Sequence, residues 1–273
     1  MTLPSAGRTA APDLLATIVA AARRIVEVRR AEVSEAILEQ RAAARAPGGE
    51  AFLQALRDGA APRVIAECKR RSPSRGILRH DYRPAEHAKA YADAGAAAIS
   101  VLTEPTFFDG SLAHLEQVRA AVAVPLLRKD FIVERYQVLE AAASGADAIL
   151  LIVGALDAGA LTALLAFAGE AGLAALVEVH GVDELRLAAD CGATLIGVNS
   201  RNLRTLGVEP DVHDRLAPLM PKGVVAVAES GLRERADLRR LERAGYHAFL
   251  VGERLIAHAD PGAALRTLRE GAP

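Results

Sequence analysis

From residue 64 onward the apolar positions alternate between two patterns. Near-continuous apolar runs at 64–69, 97–103, 125–129, 148–153, 174–179, 195–199, 224–229 and 248–251 predict strands. Stretches with apolar residues at helical spacing lie between them, at 84–94, 111–122, 134–144, 157–171, 182–190, 211–219 and 233–244, and a last one covers 261–270. Gly95-Ala96, Gly145-Ala146, Gly192-Ala193 and Gly245-Tyr246 close four of these helices, where glycine readily takes a left-handed backbone. A run such as Ile149-Leu150-Leu151-Ile152-Val153 has no polar face, as a strand covered on both sides requires. Strands alternating with helices imply a parallel sheet. Eight such units over roughly two hundred residues predict an α/β fold, a closed (β/α)8 barrel of the TIM type. A doubly wound sheet of two half-domains is the competing layout, but no GxGxxG follows the first strand, which weakens its dinucleotide-binding form.

The chain before the first strand is different. Residues 1–12 are small and polar and are expected to fray. Asp13 is placed to cap a helix in which Leu14, Leu15, Ile18, Val19, Ala22, Ile25 and Val26 form one apolar stripe. Helix is expected to about Arg45, with room for a break, until Ala46-Pro47-Gly48-Gly49 ends it, and a short helix over 50–57 leads into the first strand. The expectation is one domain: an N-terminal helical extension over 1–62 covering one end of a barrel at 63–273.

Composition narrows the function classes. The 273 residues are 51% hydrophobic, with 33 basic and 34 acidic side chains and a net charge of -1, so no global field favours nucleic acid or an anionic membrane. Any anion must be held locally. Cys68 and Cys191 make no disulfide framework, and no Cys/His spacing suggests a metal site. Cys68 lies between Glu67 and Lys69 and should face the opposite side of its strand, as packing. No signal peptide and no apolar stretch of the ~18 residues needed to span a bilayer is evident, so a soluble cytoplasmic protein is expected.

The chemistry gathers where the strands end. Glu67 and Lys69, two apart, share one strand face, and unpaired buried charges are costly. A salt-bridged pair at a strand end accounts for one such case. The arrangement recurs, however: Lys129 shares a face with Leu127, Glu178 with Leu176, Asn199 with Gly197, and Glu229 with Val227. If those faces point inward, Glu67, Lys69, Lys129, Glu178, Asn199 and Glu229 meet at one mouth, where this fold keeps its chemistry. Carboxylates nearby keep lysines protonated, and a protonated lysine can act as a general acid toward a carbonyl or hydroxyl oxygen. A buried structural ion network is the alternative.

Two turns resemble an anion site. Glu229-Ser230-Gly231 and Val251-Gly252-Glu253 end the last two strands, where loops often hold phosphate, with a short helix expected to begin near Glu253. Ser72, in the loop after the first strand, can add a hydroxyl, and the Ser, Pro and Gly of residues 70–81 suggest a lid. His180 reads as a rim histidine, since no neighbour presents itself as an orienting partner. Phe107, Phe108 and Phe131 follow strands two and three and can line a pocket for a flat ring.

Taken together these stretches resemble the indole-3-glycerol phosphate synthase family. The resemblance runs in order through IAECKRRSPSRG at 65–76, AISVLTEPTFFDGS at 98–111, PLLRKDFIVERYQ at 125–137, GADAILLI at 145–152, LVEVH at 176–180, IGVNSRNL at 196–203, AESG at 228–231 and LVGE at 250–253. It implies a (β/α)8 barrel whose N-terminal helices lie over the active-site mouth. It also implies ring closure of 1-(2-carboxyphenylamino)-1-deoxyribulose 5-phosphate, with loss of carbon dioxide and water, by an enzyme that uses neither metal nor organic cofactor. In that family pattern Lys129 matches the general acid, and Lys69 a lysine that contacts the substrate carboxylate and can join proton transfer. Glu178 matches the carboxylate serving dehydration, with Glu67 and Asn199 positioning these groups. Arg201 would face the anthranilate carboxylate and Glu229 a ribulose hydroxyl. Ser72, Gly231 and Gly252 match phosphate contacts, with Ser230 nearby, while Pro73, Phe108, Phe131 and Leu151 would enclose the aromatic ring. Glu253 departs from members that carry a small hydroxyl there. It is expected to turn its charge away and to offer its backbone N–H. The partners implied are a small phosphorylated substrate and, in a monomer or homodimer, a second copy; no nucleic acid or membrane is implied. A phosphoribosylanthranilate isomerase-like barrel remains as runner-up, although Cys68 has the wrong phase for it, and so does a barrel that binds a phosphorylated ligand without turnover.

Overall fold

In the computed structural model, which describes residues 13–271 except residue 47, every run expected as a strand pairs in parallel with its neighbours. The strands are β1 (Arg63–Cys68), β2 (Ala98–Leu102), β3 (Leu126–Lys129), β4 (Ala148–Ile152), β5 (Ala174–Val179), β6 (Leu195–Asn199), β7 (Val225–Glu229) and β8 (Ala248–Val251). β8 pairs with β1, Val64 opposite Phe249, which closes the barrel. Alternation along each strand then makes two cores. Ile65, Leu127, Leu150, Leu176, Val227 and Leu250 point to the barrel axis. Val64, Val101, Leu151, Val177, Val198 and Ala228 belong to the outer layer, beneath the helices. Cys68 lies in that outer layer, opposite in phase to Glu67 as expected, and its burial pushes the thiol pKa up.

The barrel helices are α4 (Pro84–Asp93), α5 (Leu112–Ala121), α6 (Arg135–Ala143), α7 (Ala158–Glu170), α8 (Val182–Asp190), α9 (Val212–Leu216), α10 (Arg235–Ala244) and α11 (Pro261–Glu270), after the leader helices α1 (Leu14–Glu32), α2 (Glu35–Ala43) and α3 (Gly49–Asp58). Gly95, Gly145, Gly192 and Gly245 all have positive φ at the ends of their helices. α9 is shorter than the expected 211–219 because Pro218 cannot donate within a continuing helix; Ala217–Leu219 finishes as a 3-10 turn.

The leader does more than cover one end. Asp13 caps α1, its Oδ1 accepting from the Ala16 N–H at 3.2 Å. Leu15, Ile18 and Ala22 of α1 pack into the axial core at the mouth, beside the turn Val153–Ala155 that follows β4. The helix breaks at Val33, whose carbonyl accepts from the Tyr136 hydroxyl at 2.9 Å, and α2 lays Leu38 against Tyr136 and Leu139 on the barrel's flank. α3 then brings Phe52 and Leu56, both fully buried, against β2, β5 and β7 at the opposite end. Close approach makes Gly49 necessary there: its N–H donates to the Gly172 carbonyl at 3.0 Å, and a Cβ would lie 2.6 Å from the Ala174 nitrogen. The extension therefore closes both ends of the barrel, a correction to the one-sided cover read from sequence. Residues 1–12 lie outside the described structure.

A buried ion chain ties the leader to β3. Arg128 and Asp130 flank Lys129 and face outward. The fully buried Arg128 guanidinium donates to Asp130 at 2.8 Å, Glu140 at 3.1 Å, the Gln137 carbonyl at 2.6 Å and Thr103 Oγ1 at 3.1 Å. Arg29 of α1 reaches Glu140 at 3.3 Å. Four acceptors are what allow a guanidinium to remain charged in the interior.

The Phe52 ring fills the floor of the barrel with no solvent contact. Phe52→Ala is expected to lower the unfolding free energy by about 3–5 kcal/mol. Urea denaturation checks this, and a loss below about 1 kcal/mol would mean that the floor is not sealed by this ring.

Candidate active site

The inward phase read for the polar strand ends is the one adopted. Lys129 Nζ donates to Glu178 Oε2 at 3.2 Å and stands 3.9 Å from Glu229 Oε2. Glu178 Oε1 accepts from Asn199 Nδ2 at 3.0 Å, and Asn199 Oδ1 accepts from the Arg201 N–H at 2.9 Å. Lys69, immediately after β1, pairs with Glu67 Oε1 at 2.6 Å and lies 3.9 Å from Glu253. Two glycines, Gly197 within β6 and Gly252 just after β8, make room for this chemistry. A Cβ on Gly197 would come within 2.1 Å of Glu229 Oε1, and one on Gly252 within 2.1 Å of Glu67 Oε1. Gly252 thus seats Glu67, a reason for glycine that the turn reading had not supplied.

Burial and neighbouring charges set the protonation states. Burial opposes the Lys129 charge, but Glu178, then Glu229 and Glu67, outweigh it and raise its pKa, so the ammonium persists at neutral pH. Glu178 is fully buried, which by itself raises its pKa. Lys129, His180 and the Asn199 hydrogen bond bring it below the ordinary value, and it stays ionised. Glu229 goes the other way. Burial and the Glu178 charge push its pKa well up, and neither of its buried oxygens has a well-formed hydrogen bond. Two adjacent carboxyls cannot both ionise cheaply, and of the two it is the ionisation of Glu229 that is opposed.

These groups sit at or beneath a cavity of about 420 Å³ at the C-terminal ends of the strands. Glu67, Lys69, Lys129, Asn199, Arg201 and Glu229 line it, and Glu178 lies beneath Lys129 and Asn199 with no solvent exposure. Phe108 and Phe131, whose ring centroids are 6.1 Å apart, and Pro73 supply an apolar part of the lining. Ser72, Ser230, Gly231 and Gly252 also line the cavity. Ser230 and Gly231 are both left-handed, with φ of 64° and 71°, a strained backbone for the serine. The short helix Glu253–Ile256 begins where it was expected.

Two expectations need correction. Leu151 does not enclose the cavity. It is buried in the outer core, and its neighbours Leu150 and Ile152 line the cavity instead. In an all-apolar run nothing in the sequence marks the phase, and a shift of one residue exchanges inside for outside. Glu253 does not turn its charge away either. Its carboxylate reaches Arg201 at 3.5 Å and Lys69 and Arg75 at 3.9 Å, drawn by three cations on the cavity rim.

Sequence reading missed Arg75, Leu203, Leu206 and Val208, which line the rim. Nothing in the loop of the last three marks them, apart from apolar residues in a segment of turns. His180 was read without an orienting partner, yet Glu184, one helical turn away, accepts from its backbone N–H at 2.7 Å. The expected lid over 70–81 contains a two-residue ladder, Arg71–Ser72 with Gly76–Ile77, and is tied by Arg70 to Asp109 at 2.9 Å and by Arg79 to the His258 carbonyl at 2.8 Å. Among the described residues no group of three His, Cys, Asp or Glu side chains is arranged to hold a metal ion, and no helix is long and apolar enough to cross a membrane.

Comparison with known proteins agrees with this geometry. The family model for indole-3-glycerol phosphate synthase matches residues 15–268. A protein of that name from Parafrankia sp. is 52% identical over 251 residues, covering 91% of this chain and 92% of the relative. Indole-3-glycerol phosphate synthase 2 of Streptomyces coelicolor is 49% identical over 255 residues, covering 93% of this chain and 98% of the relative. Among solved structures, a 3-hexulose-6-phosphate synthase superposes with a TM-score of 0.61 at 15% identity, over 77% of this chain and 100% of that one, a likeness of fold alone. With the family pattern spanning both the leader and the barrel, the chain belongs to the indole-3-glycerol phosphate synthase family.

Proposed function

We propose that this chain is a carbon–carbon carboxy-lyase that closes 1-(2-carboxyphenylamino)-1-deoxyribulose 5-phosphate to indole-3-glycerol phosphate, releasing carbon dioxide and water. The observation that carries the reading is the juxtaposition of the charged Lys129 with ionised Glu178 at a cavity whose lining includes two aromatic rings. The substrate is a flat ring with a carboxylate at one end, a ketone in the middle and a phosphate at the other, so it needs these surfaces in that order.

Lys129 donates its proton to the ketone oxygen as the aryl carbon bearing the carboxylate attacks the ketone carbon. A bond forms between those carbons, and the carbonyl π pair becomes a hydroxyl. Loss of carbon dioxide returns its bonding pair to the ring and restores aromaticity. The hydroxyl then takes up a proton and leaves as water while the ring carbon between it and the nitrogen loses a proton to form the indole double bond, and Glu178 serves that step as acid or base. A buried lysine suits the first transfer because the oxygen becomes far more basic than an amine as the carbonyl bond opens. Lys69 and Arg201 hold the substrate carboxylate, and Phe108, Phe131, Leu150 and Ile152 hold the ring. Glu67 and Asn199 position the catalytic groups. Ser72 and the backbone of Ser230, Gly231 and Gly252 take the phosphate. Glu229, as the neutral acid, donates a hydrogen bond to a ribulose hydroxyl. Glu253 gives up its cations when the anionic substrate enters. The reaction belongs to tryptophan biosynthesis and is placed in the cytoplasm.

Incubating the purified protein with the carboxyphenylamino-deoxyribulose phosphate and EDTA should give a rising indole fluorescence signal. Lys129→Ala is expected to abolish it, by at least about 10²-fold, while the substrate still binds. Tight binding without turnover by the unaltered protein would instead indicate a binding barrel. Near-normal activity in Lys129→Ala would refute the assignment of the acid. The protonation of Glu229 is open to a separate check. The infrared spectrum at neutral pH should contain a protonated-carboxyl band that is lost in Glu229→Gln; an unchanged spectrum would mean that the proton lies elsewhere.

A further inference from the structure

His180 is a residue that the reaction scheme above leaves without a task. It is the first residue beyond β5, two on from Glu178, and its side chain is largely buried. Its backbone N–H donates to Glu184 Oε2 at 2.7 Å, and its ring Nδ1 lies 3.3 Å from the same oxygen. One carboxylate at the start of α8 thus fixes both backbone and ring. The other ring nitrogen, Nε2, is buried without a well-formed hydrogen bond and stands 3.4 Å from Glu178 Oε1. His180 is not among the cavity-lining residues, so it acts on substrate only through Glu178.

Resting on the synthase reading, we infer that His180, held by Glu184, is a positioning residue that keeps Glu178 oriented and ionised during turnover. Once Lys129 has given its proton to the substrate ketone oxygen, it is a neutral amine. When it turns to the substrate, Glu178 Oε2 loses its cation, while Oε1 retains Asn199, which is neutral, and the imidazole. The His180 ring, whose protonation Glu184 and Glu178 favour, then stands beside a carboxylate with no access to water. The groups facing its ring are Glu178 from β5, Glu184 from α8 and the Arg201 backbone from the loop after β6, with Lys129 and Glu229 behind Glu178. Burial opposes a charge on the ring, but the hydrogen bond to Glu184 and the charges of Glu178 and Glu184 outweigh it and raise its pKa. An imidazolium lowers the proton affinity of the adjacent carboxylate. Without it, Glu178 should take up a proton at higher pH.

The test compares His180→Gln and Glu184→Gln with the unaltered enzyme. The neutral glutamine at 180 should lower kcat about tenfold, a size typical of neighbours in one hydrogen-bond network, leave KM within about twofold, and move the acid limb of the kcat–pH profile to higher pH. Glu184→Gln should move the limb in the same direction by less, because the ring stays but loses its anchor. A carbon-13 titration of the glutamate carboxyls, with Glu178 assigned by its absence in Glu178→Gln, reads the same shift without turnover, so it remains informative if the synthase reading itself fails. Unchanged kcat and an unchanged Glu178 titration in His180→Gln would overturn the inference. So would a fall in kcat with a matching rise in KM and no movement of either titration, which is the mark of a merely structural histidine. If His180→Gln does not fold, as read by its circular dichroism melt, the Glu184→Gln titration decides.

Discussion

An ammonium group inside a hydrocarbon barrel is the constraint to which much of this molecule answers. Removing a charge from water costs several kcal/mol even after relaxation, and the Lys129 charge is retained because neighbouring carboxylates, Glu178 first at 3.2 Å, outweigh that cost. That carboxylate is itself fully buried, so it needs donors of its own, which Asn199 supplies at 3.0 Å and His180 approaches at 3.4 Å. A second carboxyl, Glu229, fits beside the first by occupying the space where a residue other than Gly197 would place its Cβ, and burial and the Glu178 charge push its pKa up. The result is one charged pair and, beside it, one carboxyl whose ionisation is opposed. Each protonation state depends on the others, as expected for coupled groups in a place of low dielectric.

Such a site has to be held still, and the holding is done from outside the barrel. Arg128 and Asp130 flank Lys129 on the opposite face of the chain and are locked into a buried network with Thr103, Glu140 and the Gln137 carbonyl. Arg29 joins that network from α1. The same helix covers the mouth with Leu15 and Ile18, and α3 seals the floor with Phe52. The leader therefore functions as part of the frame. The mouth has a different character. Lys69, Arg75 and Arg201 surround Glu253 at 3.5–3.9 Å, distances that leave the ion pairs loose and exchangeable for an incoming anion.

Much of this was legible in the chain. Eight apolar runs at regular spacing, with glycine after four of the helices, specify a parallel barrel because each local preference agrees with the global one. The inward phase of Lys129, Glu178, Asn199 and Glu229 could also be read, since each shares a face with an apolar or glycine position that packs at the axis. A mixed strand marks its own faces. β4 does not, and there the period-two rule leaves the phase open; Leu151 was placed at the cavity, whereas Leu150 and Ile152 line it.

The remaining features depend on contacts between residues distant in sequence. The direction of the Glu253 carboxylate follows from three cations contributed by two loops far apart in sequence, those after β1 and β6, and no local rule encodes their sum. The floor seal by Phe52 depends on where α3 arrives after wrapping the flank. The raised pKa of Glu229 depends on its burial and on the closeness of Glu178 two strands away. The amino-acid sequence by itself determined the barrel, its direction and the set of groups at its mouth, because these follow from periodicity within single strands and helices. The tertiary structure alone decided which of those groups carry charge, which way Glu253 points and what closes the two ends, because Coulomb energy, desolvation and packing depend on distances that exist only once the chain has closed on itself.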